Sequence, residues 1–77
     1  MSILRKINFQ LPKNLKKELF EQIRNLPNFP YKFRKSYYFN DEKVRDMTFK
    51  GYIIIYEVDL ENNTIVILNI FQKNEPL

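Results

Sequence analysis

Two runs near the end of the chain restrict its fold more than any other feature: Tyr52-Ile53-Ile54-Ile55-Tyr56-Glu57-Val58 and Thr64-Ile65-Val66-Ile67-Leu68-Asn69-Ile70-Phe71. Both are rich in β-branched and aromatic residues. Both are apolar at consecutive rather than alternate positions, the pattern of a strand buried on its two faces. Between them Leu60-Glu61-Asn62-Asn63 supplies a reversal, because Asn tolerates the left-handed backbone that tight turns require. The two runs therefore predict a hairpin inside a sheet, and that sheet must be covered.

A third strand is predicted just upstream. In Lys43-Val44-Arg45-Asp46-Met47-Thr48-Phe49-Lys50, alternation places Arg45, Met47 and Phe49 on one face and Val44, Asp46, Thr48 and Lys50 on the other. An Arg on the apolar side of a strand needs either a carboxylate partner or a place at the rim of a concave site with a route to water. Gly51, the only glycine, separates this strand from the next. A two-residue hairpin turn wants φ > 0 there, although a bulge or a close backbone approach would use a glycine equally well. Asn40-Asp41-Glu42 is a polar turn ahead of the strand.

Nearer the N-terminus the period changes. Leu15, Leu19, Ile23 and Leu26 recur at helical spacing with Lys13, Lys16, Lys17, Glu21 and Arg24 between them, which predicts an amphipathic helix over 13–26. Pro12 suits its first position, and Pro27 and Pro30 end it. Ahead of it Ile3, Ile7 and Phe9 stand at even spacings broken by Arg5, so residues 3–10 read either as a first strand with one charged position or as a frayed helix.

Between helix and strands lies Phe29-Pro30-Tyr31-Lys32-Phe33-Arg34-Lys35-Ser36-Tyr37-Tyr38-Phe39, where rings and cations interleave. Such a stretch can be a platform for single-stranded nucleic acid, with ring faces for bases and cations for phosphates. It can equally be a core plug in which Phe33, Tyr37 and Phe39 turn inward. Seven Phe and five Tyr in the whole chain suggest an aromatic-rich core, or a binding surface where Tyr is concerned.

The 77 residues predict one domain, residues 1–77, of the α+β class: an antiparallel sheet of three to four strands packed against one or two N-terminal helices. A chain of this size buries only about 60% of the surface it exposes when unfolded, so a bound partner would add appreciably to its stability. With no Cys and no His, thiolate nucleophiles, most zinc sites and the commonest neutral-pH base are excluded. No metal or cofactor is expected. No apolar run approaches the ~18 residues of a membrane span, and charge interrupts the start too early for a secretory signal, so a cytoplasmic protein without a membrane partner is expected. The net charge of +4 favours an acidic protein partner or a phosphate surface without deciding between them.

The order of these pieces resembles the RelE/ParE toxins of bacterial type II toxin–antitoxin modules. Their C-terminal half runs as a strand carrying Arg, an acid and an apolar residue, then a Gly-Tyr step, an apolar strand ending in Tyr, a short turn and a last apolar strand. Here these are Arg45-Asp46-Met47, Gly51-Tyr52, Ile53 to Tyr56, and Ile65 to Phe71. Pro30 to Ser36 resembles the segment that follows the second helix of these toxins, and the whole likeness covers roughly residues 26–74. The family usually has two helices after its first strand, whereas this chain has room for one strong helix.

The resemblance implies a growth-arresting toxin held inactive by a cognate antitoxin, which lays a helix in an apolar groove or a strand along a sheet edge. The stripe Leu15, Leu19, Ile23 is either part of that groove or simply core. Family members that cut messenger RNA need cations and acid–base groups on the concave sheet face, commonly with an Arg after the Gly-Tyr step. Here that position is Ile53, and the last strand ends in Phe71-Gln72-Lys73. Tyr52 and Tyr56, with a reference pKa of ~10, would need strong perturbation to act as bases. The expectation is therefore the ParE branch, whose members inhibit DNA gyrase by binding. Arg34, Lys35, Arg45, Lys50 and Lys73 are the expected contacts to target or antitoxin. A ribosome-dependent messenger-RNA endoribonuclease is the alternative, and a non-toxic structural relative a third.

Overall fold

The computed structural model describes residues 2–5 and 11–72. Expectations resting on residues 6–10 and 73–77, including Ile7, Phe9 and Lys73, lie outside the described residues. Strand β1 (Ser2–Arg5) precedes helix α1 (Lys13–Asn25), a 3-10 turn (Leu26–Asn28), and strands β2 (Arg34–Lys35), β3 (Val44–Phe49), β4 (Tyr52–Asp59) and β5 (Thr64–Gln72). They make one five-stranded sheet in the order β1-β5-β4-β3-β2. β2 to β5 are antiparallel neighbours, and β1 runs parallel to β5 with Ser2 opposite Thr64.

The α+β architecture is as expected, with one α-helix and a wider sheet than three to four strands. Width comes from both ends: β1 docks on β5, and Arg34–Lys35 pairs with Asp46 and Arg45 to form a short edge strand within the aromatic stretch. The choice left open for the N-terminus is resolved as strand over Ser2–Arg5.

β4 lies in the middle of the sheet and is buried on both faces from Ile53 through Tyr56. On one face Tyr56, Ile54 and Val58 meet Leu19, Ile23 and Leu26 from the helix side. On the other Ile53 and Ile55 meet Val44, with Leu68 and Phe71 packed against them. The core is aliphatic rather than aromatic: among the fully buried large side chains Tyr56 is the one ring.

Packing, not capping, holds α1. Pro12 occupies the N-cap position without a side-chain cap, its carbonyl accepts the Lys16 N–H at 2.8 Å, and no acid stands in the first turn. Burial of Leu19 and Ile23, 0% and 1% exposed, supplies about 1.5–3 kcal/mol each. These two and Leu26 are core, which settles most of the helix stripe; Leu15 is half-buried.

In β5 the core side chains are Ile65, Ile67 and then Ile70, a change of parity that follows from a register shift opposite Ile55 and Tyr56. Ile55 pairs with Asn69 and Tyr56 with Ile67, so Leu68 is the extra residue of a β-bulge. The turns match their residues. Lys50 and Gly51, at φ 48° and 84°, close a two-residue hairpin between Phe49 and Tyr52. Asn63 takes φ 51° in the next turn, where the Asp59 carboxylate accepts from the Asn62 N–H at 3.2 Å and its amide at 2.8 Å.

Candidate binding surface at the β2 edge

The segment from Phe29 to Phe39 leaves the helix, forms β2 and departs again, and each departure is tied to the sheet by a side chain. At its root the buried Tyr56 hydroxyl donates to the Pro30 carbonyl at 2.7 Å. Burial pushes the Tyr56 pKa up to about 12, against the opposing pull of the Arg45 charge. Arg45 then fastens two loops together. Its Nε donates to the Glu42 carbonyl at 2.8 Å and its Nη1 to the Phe33 carbonyl at 3.2 Å, while the guanidinium lies 4.8 Å from the centroid of the Tyr31 ring.

Of the two situations open to Arg45, the structure has the rim. Among the described residues no carboxylate bridges it. It lines an open cleft of about 580 Å³ together with Tyr31, Asn40, Asp41, Glu42 and Lys43.

The other side of the edge is built on a carboxylate. Asp46 is 2% exposed; its Oδ2 accepts the Tyr37 N–H at 3.0 Å and faces Arg34 Nη2 at 3.5 Å, while Oδ1 has no partner among the described residues. Arg34 in turn lies 3.6 Å from the Tyr37 ring centroid. Ser36, also buried, donates its N–H to the Val44 carbonyl at 2.8 Å, and its Oγ accepts the Tyr38 N–H at 3.1 Å. Tyr38 meets Phe71 edge-on with centroids 5.5 Å apart. Backbone bonds thus fix the loop while its rings point outward.

This arrangement corrects the core-plug reading of the aromatic stretch. Phe33 packs against the core, but Tyr37 is 77% and Phe39 44% exposed, because the segment forms the sheet's margin and its turns swing away from both packed faces. Of the expected contacts, Arg34, Lys35 and Arg45 all stand at this edge, Lys35 directly opposite Arg45 on one side of the sheet and Arg34 opposite Asp46 on the other. Lys50 does not join them. It stands at the far end of β3, about 16 Å along the strand from Arg45 at ~3.3 Å per residue, where it forms an ion pair with Glu18 of α1. Lys73 lies outside the described residues. Sequence reading passed over Asp46 and Ser36 as anchors; the signal available was an acid placed next to Arg45 in a strand.

A separate cleft of about 260 Å³, lined by Ile3, Phe20, Ile23 and Arg24, opens where α1 passes β1. Among the described residues no cluster of His, Cys, Asp and Glu is suited to a metal ion, and no helix is long and apolar enough to cross a membrane.

The family model described as the ParE toxin of the type II toxin–antitoxin system, parDE, matches residues 2–76. The chain belongs to the ParE toxin family. The match takes in β1 and α1, so the short N-terminal half is part of the family pattern. Comparison with curated proteins and with solved structures returned no match. As a ParE-family member the chain is the toxin of a toxin–antitoxin pair, and its family implies an antitoxin as partner.

Proposed function

We propose that this ParE-family toxin arrests bacterial growth by binding DNA gyrase, in the cytoplasm, and that a cognate antitoxin neutralises it. The observation that carries this reading is the state of Arg45: a guanidinium fixed by two main-chain carbonyls, in ion-pair contact with no carboxylate among the described residues, at the mouth of an open cleft. Fixed cations of this kind suit charge-assisted contacts to carboxylate or phosphate. Lys35, directly opposite Arg45, extends the same charge along the edge. Cleavage chemistry is less well served. Ile53, where RNA-cutting relatives commonly carry Arg, is 3% exposed, and Tyr56 with its raised pKa stays protonated at neutral pH. For the antitoxin, the cleft between β1 and α1 offers a largely apolar groove beside a sheet edge that no other strand of the described residues covers.

The test is tightly induced expression in a bacterial host, scored for growth, for covalent gyrase–DNA complexes and for transcript integrity. Arrest with trapped complexes, relieved by Arg45→Ala or by co-expressed antitoxin, is the expected result. Arrest with cut transcripts and unaffected gyrase would move the protein to the ribonuclease reading. Normal growth with soluble toxin present would end the toxic reading in that host.

A further inference from the structure

Among the described residues seven large apolar side chains stand exposed, and five are rings between 29 and 39: Phe29, Tyr31, Tyr37, Tyr38 and Phe39. Such a concentration on one margin of a small domain marks a contact surface. Two of the rings are backed by guanidinium groups, Tyr37 by Arg34 at 3.6 Å and Tyr31 by Arg45 at 4.8 Å. Tyr37 nonetheless remains 77% exposed, so its ring face away from Arg34 is open. Lys32 and Lys35 stand exposed between the rings.

From this we infer that the β2 edge binds single-stranded nucleic acid, with bases stacking on Tyr37 and Tyr31 and phosphates held by Lys32, Arg34 and Lys35. Stacking on an aromatic ring is sequence-tolerant because every base has a π-face, and a guanidinium behind the ring adds attraction. The placement of the two ring units selects for a flexible strand. Arg34 faces Asp46 and Arg45 faces Lys35, so the two guanidinium groups lie on opposite sides of the sheet. A single strand can pass over the edge and reach both. A duplex, stiff and with its bases already stacked, offers this surface only phosphates. An acidic peptide would satisfy the cations and leave the ring faces unmatched.

The inference does not rest on the gyrase reading and is tested without gyrase. Purified toxin is titrated into a short fluorescein-labelled oligothymidylate, and anisotropy is read across a salt series. Tyr37→Ala keeps the main-chain bond to Asp46 and is expected to fold normally, as circular dichroism would verify. It should weaken binding roughly 5- to 150-fold, the range for losing one base–ring stack, whereas Tyr37→Phe should retain most of the affinity. Lys35→Ala should reduce the slope of log K against log salt by about 0.7. Three results overturn the inference: no binding of the oligonucleotide, affinity unchanged in both Tyr37→Ala and Tyr31→Ala, or a duplex bound as tightly as the single strand. Poly-glutamate held as tightly and with the same dependence on Tyr37 would instead assign the surface to acidic protein segments.

Discussion

Replacing Tyr56 by Phe deletes one oxygen from the middle of the sheet, and the structure sets both the size and the pH dependence of the result. Tyr56 is fully buried, and its hydroxyl makes a 2.7 Å bond to the Pro30 carbonyl. Losing a bond of this kind costs about 1 kcal/mol net, since the half-buried Pro30 can recover some hydration. For a domain of this length that is a fall in Tm of roughly 4–8 °C. Raising the pH reverses the sign. With the pKa lifted from 10.0 to about 12 in the fold, the unfolded chain releases the Tyr56 proton first. Stability linked to this group is therefore intact below pH 10 and declines as pH rises towards 12, by about 1.4 kcal/mol per pH unit. Phe has no proton to release, so the wild type should be the more stable at pH 7 and the variant above about pH 11, where the linkage loss overtakes the ~1 kcal/mol bond. Urea midpoints of the two proteins, compared between pH 7 and 11.5 so that other titrating groups cancel, give the measurement. Curves that stay parallel across that interval would refute the assignment of a buried, protonated Tyr56.

Arg45→Ala should abolish growth arrest, and Arg45→Lys should restore it only partly because an ammonium cannot reproduce the two-carbonyl anchorage; plating after induction, with protein levels matched, measures both. Asp46→Ala leaves the Tyr37 N–H without its acceptor and Arg34 without its carboxylate and should cost about 1–3 kcal/mol, whereas Asp46→Asn keeps the acceptor for Tyr37 and gives up only the pair with the part-exposed Arg34, so chemical denaturation should find it less destabilised than Asp46→Ala. At Gly51 a Cβ would meet no atom within 4 Å, so the expected cost of Gly51→Ala is conformational alone at φ 84°, roughly 1–2 kcal/mol, read as a lowered Tm. Lys50→Ala breaks an exposed ion pair with Glu18 and should change stability by less than about 0.5 kcal/mol.

The strands and turns were legible because their signals are local. Consecutive apolar residues over Tyr52–Val58 demand burial on two faces, and β4 has it; Asn63 tolerates positive φ and takes it, and of the uses open to Gly51 the structure has the positive-φ hairpin turn. The bulge at Leu68 was not legible, since a run apolar at every position carries no parity to break. Nor was β2, whose two residues are charged and exposed and are a strand only because Arg45 and Asp46 pair with them. The same blindness applied to the site. Arg34, Lys35 and Arg45 could be named from charge, but that they share one sheet edge, on its two sides, while Lys50 lies apart depends on a pairing register that no periodicity encodes.

The inward and outward roles of the aromatic stretch follow from one asymmetry. A ring on a central strand is covered twice, as Tyr56 is, and its hydroxyl must find a protein partner. A ring on a margin is covered at most once, and whether it turns inward depends on the backbone that carries it. Here that backbone is held by Asp46, Ser36 and Arg45, which take up main-chain groups of residues 33–38, and Tyr37 and Tyr38 stand exposed. The buried Asp46, with one oxygen unpaired among the described residues, is a cost to the fold that has no counterpart among the described residues of the helix-side core. Its return is the display of Tyr37 beside Arg34, so the polar anchors and the exposed rings belong to a single device at the edge of the sheet.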